Sequence, residues 1–125
     1  MYNYNADRIR NIAFLGHHSS GKTTLVESML MTTEAIKRKG KVEDGNTVSD
    51  FDKEEKSREV SIYTSVIPLE WENHKYNVLD TPGYFDFVGE VHSALRVSKG
   101  AVIVLDASSG IEVGCEKAWK LTRKR

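Results

Sequence analysis

Eight residues, Gly16-His17-His18-Ser19-Ser20-Gly21-Lys22-Thr23, constrain this chain more than any others. They follow the pattern G-x-x-x-x-G-K-[ST], in which a glycine-framed loop turns its backbone N–H groups inward around phosphate oxygens. Such a loop sits between a strand and a helix, and the helix adds the positive end of its dipole to the site. The flanks agree. Ile9 to Leu15 reads as a short apolar strand, and Thr24 to Glu34 carries helix formers with Leu25, Val26, Met29 and Leu30 on one face. The pattern predicts phosphate binding by Gly16, His17, His18, Ser19, Ser20, Gly21 and Thr24, with Lys22 reaching the outer phosphates. The Thr23 hydroxyl is then placed on Mg²⁺. Adjacent His17 and His18 diverge and have no third ligand nearby, so the loop explains them without a transition metal.

The rest of the chain alternates strands and helices. Lys37 to Glu59 is polar and charge-dense, with Gly40 and Gly45 as breaks, and reads as a long loop. Ser61 to Trp71 mixes β-branched and aromatic residues, and Pro68 suits a sheet edge or a bulge. Glu72-Asn73-His74 turns this strand into Lys75 to Leu79, an antiparallel hairpin. From Phe87, the spacing of Val88, Val91 and Leu95 predicts a helix ending near Gly100. Ala101 to Leu105 is a continuous apolar run, as expected of a strand covered on both faces. A last amphipathic helix places Ile111, Cys115, Ala118 and Trp119 inward, which makes Cys115 a buried apolar residue rather than a nucleophile. Its basic end, Lys117, Lys120, Arg123, Lys124 and Arg125, has the charge to meet RNA phosphates but reads more readily as a solvated face whose charge suits a helix C-terminus. The order predicts one α/β domain, a mostly parallel sheet with one antiparallel strand and helices on both faces.

At 125 residues the chain is long enough for one core. Lys plus Arg and Asp plus Glu balance at 18 each, so no global field points to nucleic acid or an acidic membrane surface. The single cysteine excludes an intramolecular disulfide, and no long apolar run precedes the loop, so a cytoplasmic protein without a membrane anchor is expected. A second constellation, Asp80-Thr81-Pro82-Gly83, closes the apolar strand Tyr76, Val78, Leu79. It delivers the Asp80 carboxylate to the edge where Thr23 lies, where it can hold the water shell of Mg²⁺. Gly83 lets a backbone N–H approach the terminal phosphate with no side chain in the way.

Gly16 to Thr24, the hairpin, and Asp80-Thr81-Pro82-Gly83-Tyr84-Phe85-Asp86-Phe87-Val88 together resemble the start of a translational GTPase, in particular elongation factor G and its elongation factor G-like paralogues. Val42-Glu43-Asp44-Gly45, Asp50-Phe51, Ala107-Ser108-Ser109-Gly110-Ile111 and Glu116-Lys117-Ala118-Trp119 recur at matching places. The resemblance implies part of a P-loop guanine-nucleotide domain, with the phosphate loop at 16–23, a first switch at about 37–61 and a second at about 80–90. It implies GTP as substrate, GDP as product, and Mg²⁺ held by Thr23, Ser61 and Asp80. Catalysis is then positioning and electrostatics by Lys22, Thr23 and the Gly83 amide, in a protein whose full-length relatives act on the ribosome.

The departures from the family are specific. Arg58-Glu59-Val60-Ser61 stands where the family has Arg-Gly-Ile-Thr. Ser61 keeps a hydroxyl, whereas Glu59 brings an anion toward a phosphate site and is expected to weaken the closed switch. Tyr84 stands where the family has a histidine that orients the attacking water. A phenol with a pKa of about 10 is a poor base, so slow hydrolysis is expected. Ser19 replaces an aspartate common in elongation factor G, which removes a ligand for a monovalent cation. No Asn-Lys-x-Asp base-reading segment occurs in the chain, which therefore reads as the C-terminally truncated front of such a domain. The edge of Val102 to Leu105 is then expected to be bare and prone to self-association. Two other readings stay open: a non-hydrolysing nucleotide-binding module, and an ATP-using P-loop enzyme.

Overall fold

A computed structural model describes residues 3–123. A 3-10 turn at Ala6–Arg8 precedes β1 (Ile9–Gly16), which leads through the glycine-framed loop into α1 (Lys22–Thr32). A long segment containing α2 (Lys53–Arg58) follows, then the hairpin of β2 (Ser65–Trp71) and β3 (His74–Asp80). A second 3-10 turn, Phe85–Phe87, opens α3 (Val88–Val97), and β4 (Gly100–Val104) and α4 (Val113–Arg123) complete the order. The sheet runs β2-β3-β1-β4, with β1 parallel to both its neighbours and β2 antiparallel to β3. This is the mixed α/β sheet that the residue pattern predicts.

Strand alternation divides the core into two layers. Phe14 and Val78 face α1, packing with Val26, Leu30, Ile67 and Leu69. Ala13, Leu15 and Leu79 face the other way, onto Val91, Ala94 and Leu95 of α3 and Ala118 of α4. Because β1 is central and parallel to β3, the ends of both strands open on one edge, with Phe14 level with Asp80. That register brings the loop after Gly16 beside the segment after Asp80.

Four details differ from the sequence reading. The inner side of α1 carries Glu27 with Val26 and Leu30, whereas Leu25 is exposed, one helical step outside the contact arc. The first strand of the hairpin starts at Ser65, not Ser61, because side chains take the preceding N–H groups. Glu55 accepts from Ile62 and Tyr63, and Glu90 accepts from Thr64. The 37–59 segment is not all loop, since a capping box between Asp52 and Glu55 starts α2. Finally, β4 is an edge strand rather than one covered on both faces, with Ala101 and Val102 exposed. Its apolar run reflects contact with β1 and α4, which covers it with Cys115 and Ala118 but leaves Ile111 and Trp119 outside. Cys115 itself is buried and free, and Pro68 lies on the other edge strand, both as the residues predict. Lys124 and Arg125 of the basic end lie outside the described residues.

Candidate functional site

The Gly16–Thr23 loop leaves β1 under tight backbone constraint. Gly16 has φ 150°, and a Cβ there would meet the Val104 carbonyl oxygen at 2.5 Å and Ser20 Oγ at 2.9 Å. Gly21, at φ 89°, turns the chain into α1 from the left-handed region. Lys22, the first residue of the helix, is buried and folds back, its Nζ donating to the carbonyl of His17 at 2.7 Å and lying 3.4 Å from that of Gly16. Burial pushes the Lys22 pKa down, and the nearby Asp80 carboxylate opposes that shift.

Three segments meet beside the loop. Thr23 Oγ1 donates to Asp80 Oδ2 at 2.7 Å and lies 3.4 Å from Ser61 Oγ. Ser61 in turn donates to Asp50 Oδ1 at 2.7 Å. Asp80 is 1% exposed, and this burial raises its pKa to about 6 although the Thr23 hydrogen bond and the Lys22 charge pull the other way. Burial likewise raises the Asp50 pKa, against the Ser61 hydrogen bond. Asp80 Oδ1 is buried with no hydrogen-bond partner among the described residues. Two hydroxyls and two carboxylates, one of them with an orphaned oxygen, make a hard oxygen set that fits Mg²⁺, which takes one or two carboxylates and keeps waters and phosphate oxygens. Among the described residues no three His, Cys, Asp or Glu side chains converge as an all-protein metal cage.

An open cleft of about 250 Å³ lies above this group. It is lined by His18, Ser19, Gly21, Lys22, Thr23 and Thr24 of the loop and α1, by Val42, Glu43, Asp50, Glu59, Val60 and Ser61 of the segment after α1, and by Gly83 and Tyr84. Gly83 abuts the loop so closely that a Cβ would sit 2.6 Å from His18 N and 2.7 Å from Lys22 Nζ. Tyr84, 36% exposed, stacks on His18. His17 turns away from the cleft, toward Glu112 and the Gly114 N–H. Ser20 is buried behind the loop.

Residues 7–125 match the family described as the elongation factor Tu GTP binding domain. The chain belongs to that family. It is 45% identical over 118 residues to the mitochondrial ribosome-releasing factor 2 of Candida dubliniensis, covering 94% of this chain and 15% of that protein. It is 42% identical over 112 residues to elongation factor G 2 of Streptomyces coelicolor, covering 90% and 16%. A Thermus thermophilus protein of known crystal structure superposes with a TM-score of 0.91 at 42% identity, covering 94% of this chain and 18% of that one. The chain thus spans about one-seventh of the length of these curated relatives.

In this member of the elongation factor Tu GTP-binding family, His18, Ser19, Gly21, Lys22, Thr23, Thr24, Ser61, Gly83 and Tyr84 line the cleft, whereas Gly16, His17, Ser20 and Asp80 do not, Asp80 lying behind Thr23 through their hydrogen bond. Two carboxylates, Glu27 and Glu55, escaped sequence reading, and a third, Asp50, is legible there only as part of the family resemblance, without a role. Asp50 joins Ser61, Glu27 binds the Gly40 and Val48 N–H groups, and Glu55 binds those of Asp52, Ile62 and Tyr63. Glu55 is lost among many acids in a charge-dense stretch, and the contact of Asp50 with Ser61 spans eleven residues that no local pattern links. Glu27, standing beside Val26 on the inner side of an amphipathic helix, was detectable as a charge out of place.

Proposed function

We propose that this chain is the front of the GTP-binding domain of a ribosome-associated, elongation factor G-like translation factor that binds GTP and hydrolyses it to GDP. The observation that carries the reading is the Thr23–Asp80 hydrogen bond at 2.7 Å with Ser61 Oγ 3.4 Å away, which joins the phosphate loop to both candidate switch segments. The segment at about 37–61 acts as the first switch and the one at about 80–90 as the second. Membership in the elongation factor Tu GTP-binding family and the translation-factor names of its relatives support GTP and the ribosome as partners.

In this reading the backbone of Gly16 to Thr24 cradles the phosphates, and Lys22 exchanges its carbonyl partners for outer phosphate oxygens. Thr23, Ser61 and Asp80 hold Mg²⁺, which when bound neutralises charge on the outer phosphates. The Gly83 N–H approaches the terminal phosphate, and the Tyr84 hydroxyl orients the attacking water without acting as a base. Substituting Tyr84→Phe lowers turnover if that hydroxyl orients water and leaves it unchanged if it does not. The buried free Cys115 suits the reducing cytoplasm. Among the described residues no helix is long and apolar enough to cross a membrane. The exposed edge of β4 is a surface for self-association.

Calorimetric titration with GDP and ADP in the presence of Mg²⁺, beside Lys22→Ala, tests the reading. Tight GDP binding that exceeds ADP binding and disappears in the variant is the expected result, and equal affinity for both nucleotides overturns base selectivity in this chain. The phenol of Tyr84 favours a second reading, a nucleotide-binding module that does not hydrolyse. Turnover by the full-length protein with ribosomes separates the two.

A further inference from the structure

The phosphate loop touches the segment after Asp80 through a pair of rings as well as through its backbone. The His18 imidazole and the Tyr84 phenol lie with centroids 4.4 Å apart and planes 7° from parallel. The histidine is supported from behind. His17, its neighbour, packs a ring against it at 4.4 Å, accepts the Gly114 N–H at Nδ1 (3.3 Å), and faces the Glu112 carboxylate with Nε2 (3.5 Å). The start of α4 is tight on His17, since a Cβ on Gly114 would lie 2.6 Å from His17 Cα. Lys117 of α4 also caps the ring of Phe85, next to Tyr84, at 3.2 Å. The His18 ring therefore presents one face to Tyr84 from a loop packed against the start of α4 through His17, while Tyr84, 36% exposed, stands just before the Phe85–Phe87 turn.

We propose that His18 is a positioning residue for Tyr84, its imidazole face being the seat that holds the phenol at the phosphate end of the cleft. The proposal rests on the hydrolytic reading above and adds to it a side-chain task for a loop whose phosphate contacts are made by backbone. That division of labour has a signature. Removing the ring lowers the chemical step, while nucleotide affinity, which depends on backbone N–H groups and Lys22, stays nearly constant.

The test uses the full-length protein with ribosomes, comparing His18→Ala and His18→Phe with the parent. His18→Ala is expected to lower kcat about five- to tenfold, the worth of one stacked aromatic pair, and to move the GDP Kd by less than about twofold. His18→Phe keeps a flat face and restores most of the lost turnover. In the NMR spectrum, the His18 imidazole protons shift when Tyr84→Leu removes the stacked phenol. Parental turnover in His18→Ala overturns the proposal and leaves the hydrolytic reading standing. Equal impairment of the alanine and phenylalanine variants also overturns it, because stacking is then not what the ring supplies. A parent that binds GDP but turns over no GTP with ribosomes overturns the hydrolytic reading and the proposal together.

Discussion

Glu59 occupies a backbone position built for glycine. It closes α2 at φ 54° and ψ 34°, the left-handed region, with its side chain exposed on the wall of the cleft. An L-residue there carries a cost of about 1–2 kcal/mol, so Glu59→Gly is expected to stabilise the chain by up to about 1 kcal/mol after the extra freedom of unfolded glycine is counted. A urea midpoint that falls in the variant contradicts this. Asp80 shows the opposite kind of tension, a carboxylate placed by function rather than by comfort. Its pKa rises from the ordinary 3.8 to about 6 because it is buried, so the folded chain holds this proton more tightly than the unfolded chain does. Stability linked to Asp80 is therefore full below about pH 4 and lost as the pH climbs to about 6. In the metal-free chain, Asp80→Asn should gain of order 3 kcal/mol near pH 7 and nothing near pH 3.5. A difference between the two proteins that does not change with pH overturns the assignment.

The segment between α1 and β2 buries few apolar side chains, Ile36 and Ile62 among them, and is held largely by carboxylates. α2 has six residues, too few to stand alone, and persists because Asp52 caps it and Glu55 reaches Asp52, Ile62 and Tyr63 N–H groups. Glu27, 1% exposed on α1, pins the two ends of the 40–48 loop by accepting from Gly40 at 2.8 Å and Val48 at 2.6 Å. That loop carries Val42 and Glu43 to the cleft wall. Glu27→Gln turns one acceptor into a donor facing an N–H. The loss of a charge-assisted bond of about 2 kcal/mol should speed amide exchange at Gly40 and Val48 about thirtyfold. Unchanged protection at both amides means that the loop is held by something else.

The sheet has two edges, β2 and β4, and they differ in what lies beside them. Among the described residues β4 pairs with β1 alone, and Ala101, Ile103, Leu105, Ile111 and Trp119 form one apolar surface beside it. Trp119 is 57% and Ile111 74% exposed. An unpaired strand edge next to apolar side chains is a template for another strand. Light scattering of this chain is expected to show dimers or larger species as concentration rises, and Val102→Lys, a charge on the edge, should reduce them. A strictly monomeric species at high concentration sinks the idea.

Much of this molecule could be read before folding because its strongest constraints are local. The loop needs glycines at fixed offsets and a lysine at the helix start, and the two core layers follow from period-2 and period-3.6 spacing along β1, α1 and α3. Such patterns lie within a dozen residues and survive any context. What the residues alone left undecided depended on which groups meet across long separations. Ser61 to Thr64 look like strand, yet the N–H groups of Ile62, Tyr63 and Thr64 are captured by Glu55 and Glu90. Ala101 to Val104 look like a central strand, yet the topology puts them at an edge. Asp50 has no assigned task until the fold places it on the Ser61 hydroxyl, and His18 is one loop residue until Tyr84 lies on its face. Hydrogen bonds and ring contacts of this kind form between side chains whose distance only the packed sheet sets, and the sequence order carries no measure of that distance.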